Sequence, residues 1–235
     1  MIKKEDLIIK KLTEKAEMKQ QVFSNTLEIF NQLKNVLIEI ADSYSKKIGN
    51  VKGKPWIKFI DRGSFQCALK FAGDMILFNM HSNVFEFNKE HQIWKTPYAQ
   101  KNVMGTYCGI INIYNFLSDS FKYNRESDLG YLVGRLFINK DFHYFVEGKR
   151  QMSSLYKDFG VATIDKNALK EVIESSLQYV LEFDLLVPPY DNMKIISLEL
   201  VQQKNQKSAI QTGKRLGFQF KSDDIQGEEA VYTGH

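Results

Sequence analysis

Between about residue 5 and residue 48, apolar side chains return every three or four positions, and this regularity limits the fold more than any other feature of the chain. Phe23, Leu27, Phe30, Leu33, Leu37, Ile40, Tyr44 and Ile48 draw one continuous stripe, because residues three and four apart share a helix face. Val22, Ile29, Val36 and Ile38 widen it beyond the narrow seam of a two-stranded coiled coil. The pattern predicts a long N-terminal helix laid on the body of a domain, with a homodimer contact through the same helix. Ser24 is the expected N-cap of its strongest part, and the Lys- and Glu-rich residues 1–20 read as a solvated extension.

Gly49 to Pro55 should end the helix, since it combines glycines with a proline that pushes its predecessor extended. Beyond it, Trp56 to Asp61, Phe65 to Phe71, Met75 to Met80 and Val84 to Phe87 are short apolar runs separated by Arg62-Gly63, Gly73-Asp74 and Ser82-Asn83. That spacing predicts an antiparallel meander. Residues 90–102 read as a loop, and Gly105 to Phe116 as a further strand, although its apolar positions satisfy neither period cleanly. Leu129 to Ile138 and Phe142 to Lys149, joined by Asn139-Lys140-Asp141, predict a hairpin. A second helix near 166–186 is capped by Asp165 and stopped by Pro188-Pro189, with Leu169, Val172, Ile173, Leu177, Val180 and Leu181 turned inward. A strand over Met193 to Leu200, a basic helix around Ser208 to Leu216 and a short strand Gly217 to Phe220 complete the reading.

The expected class is therefore α+β, with an antiparallel sheet of about five to seven strands packed by two helices. One domain should occupy residues 21–221, followed by an acidic tail over 222–235. In order of elements this resembles the PAS, GAF and profilin-like folds. The resemblance is one of layout, without a shared motif, and implies no activity.

Composition agrees with a packed core: 43% of the 235 residues are hydrophobic, and 17 Phe and 11 Tyr outweigh 4 Pro. No run approaches the roughly 18 apolar residues of a membrane span, and Met1 to Asp6 lacks the apolar region of a secretory signal, so a cytoplasmic protein with no membrane contact is expected. Cys67 and Cys108 lie in apolar runs and are expected as buried, reduced thiols. The net charge of +4 is unevenly spread. Lys204, Lys207, Lys214, Arg215 and Lys221 form a basic stretch without an acid, which suggests weak nucleic-acid binding, and Asp223, Asp224, Glu228 and Glu229 follow it.

The hairpin yields the candidate site. With Ile138 opposite Phe142, alternation assigns Leu132, Leu136, Ile138, Phe142, Tyr144 and Val146 to the core. The other face carries Tyr131, Arg135, Phe137, His143, Phe145, Glu147 and Lys149, a mixture of rings and charges suited to a small ligand or a protein partner. A second reading starts from Glu147-Gly148-Lys149 and the upstream Asp128. This fragment superficially resembles the PD-(D/E)XK nucleases, which implies Asp128 and Glu147 as ligands of a divalent metal and Lys149 as the catalytic base or charge stabiliser. The fragment departs from that pattern in two ways: no proline precedes Asp128, and strand parity puts Asp128 on the opposite side from Glu147.

His81, His91, Cys67 and Cys108 show no paired metal-ligand spacing, so no metal or cofactor is expected. Phosphate-cradling glycine motifs and the serine-hydrolase elbow are absent. The function expected from the sequence is a non-enzymatic regulatory or adaptor module, with a metal-dependent nuclease as the alternative.

Overall fold

The computed structural model describes residues 4–51, 54–148, 150–155 and 159–183. Lys149, Pro188-Pro189, the strand expected at Met193 to Leu200, the basic stretch 204–221 and the acidic tail 222–235 lie outside the described residues.

Helix α1 spans Lys4–Ile48, 45 residues. Ser24 is interior to it rather than its cap, because the Lys- and Glu-rich residues before it are good helix formers and carry the helix back to Lys4. Glu5 and Asp6 in the first turn and Lys46 and Lys47 in the last complement the helix dipole. Residues 4–17 are exposed, and burial begins at Met18. Most of the stripe is taken up by the fold: Phe30, Leu33 and Leu37 are fully buried, and Leu27 and Tyr44 pack against the same core, whereas Ile38 and Ile48 are exposed.

After a two-residue pair, β1 (Asn50–Val51) with β2 (Lys54–Pro55), the chain enters an antiparallel sheet. Its strands are β3 (Ile57–Asp61), β4 (Gln66–Phe71), β5 (Asp74–Met80), β6 (Phe85–Glu86), β7 (Tyr107–Leu117), β8 (Tyr131–Asn139) and β9 (Tyr144–Gly148). The order across the sheet is β3-β4-β5-β7-β8-β9, with β6 pairing the start of β7. The run from Tyr107 to Phe116 thus resolves as strand, while Gly105 and Thr106 before it belong to a 3₁₀ turn, Val103–Thr106. Between β6 and β7 the chain forms a 3₁₀ turn at Gln92–Lys95 and the short α2 (Pro97–Lys101) where a plain loop was expected. His91 and Thr96 cap these turns with their side chains. The short α3 (Ser118–Lys122) follows β7.

Helix α4 (Lys166–Leu181) begins at Asp165, whose carboxylate accepts from the Ala168 N–H at 2.7 Å. Leu169, Val172, Ile173, Leu177 and Val180 are buried as the periodicity requires, while Leu181 is exposed at the end of the helix. α1 and α4 cover the same side of the sheet and share one core with Leu69, Ile76, Phe78, Ile111, Ile113, Leu136 and Ile138. The Tyr44 hydroxyl donates to Glu174 at 2.6 Å and joins the two helices. Burial and this bond to a carboxylate push the Tyr44 phenol up to about 12.

The opposite side of the sheet has a divided cover. Over one half, the segment around residues 87–106 brings Phe87, Ile93, Trp94 and Tyr98 onto Ile110, Phe137 and Phe145. Over the other, Phe121 of α3 folds back onto Ile60, Ala68, Met75, Leu77, Tyr114 and Phe116. Cys67 is buried on the helix side and Cys108 on the other, and both are free thiols. Desolvation pushes the Cys67 thiol up to about 12 and Cys108 well above its usual range. No described helix is long and apolar enough to cross a membrane.

A polar row across the sheet as candidate functional site

The strand register builds the site. Gln66 pairs with Asn79, Asn79 with Asn112, Asn112 with Arg135, and Arg135 with Glu147. Directly paired residues share a face, so these five side chains form one row across five strands, on the side away from α1 and α4. Arg62 extends it, its Nε donating to Gln66 Oε1 at 2.8 Å while its guanidinium lies 4.9 Å from the Phe121 ring centroid. At the other end the Arg135 guanidinium pairs with the Glu147 carboxylate and rests 5.4 Å from the Phe137 ring.

The middle of the row differs from its ends. Asn79 and Asn112 are half-buried neighbours, and neither side-chain amide has a hydrogen-bond partner among the described residues. Each presents two donors and an acceptor to the space between the two apolar covers. Tyr114 and the 44% exposed Leu132 flank the row on the Phe121 side. On the other side stands a packed aromatic cluster. Phe137 and Phe145 stack at 4.5 Å and 5°, Phe87 lies 5.1 and 5.3 Å from them, and His91 stacks on Phe87 at 4.7 Å.

The expected site residues divide accordingly. Arg135 and Glu147 lie side by side on this face. Phe137 and Phe145 share the face but are buried beneath Phe87 and Phe159 and present no ring to solvent. Tyr131 is a correction: it lies in the helix-side core and donates no surface, its hydroxyl instead accepting from Asn115 Nδ2 at 3.1 Å. The cause is a bulge in β8. Ile113 pairs with Gly134 but Tyr114 pairs with Leu132, so Val133 is an extra residue and parity reverses below it. Tyr131 is thereby turned in and Leu132 turned out.

The hairpin register is a second correction. Ile138 pairs with Tyr144 and not with Phe142, because the turn is Lys140-Asp141-Phe142, with Phe142 at φ 58° closing it. A shift of two residues preserves the faces, and Phe142 packs against the helix-side core from the turn. His143 sits at the turn, its Nδ1 3.0 Å from the Ala162 carbonyl oxygen and its ring edge-on to Tyr98 at 4.9 Å. Lys149 is outside the described residues.

Asp128 lies just before β8, where Ser120 Oγ donates to it at 2.6 Å and Arg125 Nε stands 2.7 Å away. Glu147 is committed to Arg135. Among the described residues, no three His, Cys, Asp or Glu side chains converge on a point that could hold a metal. His81 Nδ1 accepts from the Asn83 N–H at 3.0 Å, and His91 Nδ1 from the Ile93 N–H at 3.2 Å.

Sequence reasoning missed Gln66, Asn79 and Asn112. The available signal was that each interrupts an otherwise apolar strand, but joining them required the register of five strands. Comparison with protein-family models, with curated proteins and with solved structures finds no match to this chain.

Proposed function

We propose that the chain is a non-enzymatic, intracellular regulatory or adaptor module that captures a small ligand or a protein partner on the polar row. The observation that carries this reading is the Asn79–Asn112 pair, two adjacent amides at the centre of a sheet with no described protein partner. A polar side chain in mid-sheet costs packing that an aliphatic residue would supply, and a planar polar group laid across the row recovers it through paired hydrogen bonds. Arg135 and Arg62 hold the ends, and the exposed Leu132 adds apolar area. Two buried reduced cysteines suit a reducing compartment. The reading also retains a homodimer through α1, moved from the buried stripe to the exposed Leu7, Ile8, Ile9 and Leu12.

The test is a titration of isotope-labelled protein with a panel of planar amide probes, namely N-acetylglycinamide, blocked dipeptides and the free nucleobases. The side-chain amide resonances of Asn79 and Asn112 should shift together with at least one probe, and Asn112→Ala should abolish the response at Asn79. Silence of both amides across the panel would remove the reading. So would magnesium-dependent cleavage of DNA or RNA by the wild type that is lost in Glu147→Gln, which would move the chain to the nuclease alternative.

A further inference from the structure

A second surface, on the far edge of the same sheet, has a defined chemistry of its own. β3 is the terminal strand of the described sheet. The Trp56 carbonyl accepts from the Ala72 N–H at 3.1 Å and the Arg62 N–H donates to Gln66 at 3.1 Å, so even-numbered residues of β3 turn their backbone groups toward β4. Odd-numbered residues turn theirs outward. Ser45 Oγ donates to the Ile57 carbonyl at 3.0 Å, and among the described residues the Ile57 N–H, the Phe59 N–H and C=O and the Asp61 N–H and C=O remain along the edge.

This edge runs along a cavity of about 1080 Å³ between β3 and the last turns of α1. On the helix side of the sheet its wall is apolar, formed by Ile38, Ala41 and Phe59, with one acid, Asp42. On the other side stand Lys58 and Lys70. They are direct cross-strand partners, and neither makes an ion pair among the described residues. Like charges facing each other across a ladder repel, and an anion between them relieves that repulsion.

We propose that the β3 edge accepts an extended peptide segment of alternating apolar and acidic residues, added to the sheet as a further antiparallel or parallel strand. Alternation follows from strand geometry. Successive side chains of an added strand point to opposite faces, so one set enters the apolar wall at Ile38 and Phe59 while the other meets Lys58 and Lys70. The backbone edge supplies affinity, and the asymmetry of the two walls selects the sequence.

The test uses the full chain and a fluorescent heptapeptide of alternating valine and glutamate, with a valine–lysine heptapeptide as control. The acidic peptide should bind with an affinity that falls as salt is raised, and the basic one should not. The double variant Lys58→Glu/Lys70→Glu should weaken the acidic peptide by about tenfold and gain affinity for the basic one. Hydrogen exchange should slow at the Phe59 and Asp61 amides on binding, a protection that loose charge attraction would not give. Lys101→Glu, a charge reversal at an exposed position of α2 outside both surfaces, should leave all of this unchanged. Absence of binding, equal binding of both peptides, or binding without protection of the two amides would overturn the proposal. Displacement of the peptide at rising protein concentration would overturn it in favour of a second copy of this chain.

Discussion

Tyr98 fastens the turn of the β8–β9 hairpin to the segment that covers it. Its hydroxyl donates to Asp141 and accepts from Asn139 Nδ2 at 3.0 Å, and its ring fills space that a side chain at Gly105 or Gly160 would occupy. Asn25 of α1 reaches the same turn, donating to the Lys140 carbonyl at 2.7 Å. Tyr98→Phe keeps the ring and removes the hydroxyl, so it should cost about 1–3 kcal/mol in urea unfolding, the range for a buried hydrogen bond whose partners stay behind. The same substitution has a pH signature. Burial pushes the Asp141 carboxyl up, but hydrogen bonds from Tyr98 and Lys140 outweigh it and hold the group below the usual range. Its contribution is therefore complete above the unfolded value of about 4 and is lost as the pH falls through the lower folded value. Thermal melts taken downward from neutral pH should show a shallower acid loss in Tyr98→Phe than in the wild type. An identical slope would detach Asp141 from this hydroxyl. None of this network was legible in the sequence: the turn residues Asn139, Lys140 and Asp141 could be read, but Tyr98 lies about 40 positions earlier in a stretch without periodicity.

Among the elements, α1 and β7 approach closely at Gly109. A Cβ added there would lie 2.1 Å from Thr26 Oγ1, and Thr26 is itself held by donating to the Val22 carbonyl at 2.6 Å. Gly109→Ala should destabilise the fold by about 1–3 kcal/mol through overpacking. In a double-mutant cycle, Thr26→Ala should return part of that loss, because it removes the Oγ1 and Cγ2 that the new methyl meets. Strict additivity of the two substitutions would show that the helix yields elsewhere. The elements themselves were readable, for identifiable reasons. α4 carries both a stripe and a cap, and the short strands are set apart by Gly and Asn turns that few other structures tolerate. Sidedness was readable only as far as the first irregularity. One extra residue at Val133 moved Tyr131 into the core and Leu132 out of it, and the isolated Gly134 beside it is a signal of a bulge that does not say on which side the extra residue falls. The polar row was illegible for a related reason, since its members are far apart in sequence and meet only through consecutive pairings.

For the whole molecule, the allocation of α1 bears on the proposed homodimer. Its turns from Met18 to Ala41 are buried along one face against the sheet and α4, so the proposed self-association is assigned to Leu7, Ile8, Ile9 and Leu12, all exposed before that stretch. Leu7→Glu with Leu12→Glu should convert a dimer to a monomer in light scattering without altering the melting temperature, because neither residue touches the core. A wild type that is monomeric at micromolar concentration would end the homodimer reading. The position of α1 at the head of the described chain also sets the order of events during synthesis. Its buried face needs β3, β7 and β8 from one side and α4 from another, and α4 ends at Leu181. At typical translation rates of about 5–20 residues per second, the helix therefore waits on the order of ten seconds after leaving the ribosome before the surface it belongs to exists. During that interval the stripe is an open hydrophobic ligand, and the nascent chain is an expected client of ribosome-associated chaperones well before it is a folded protein.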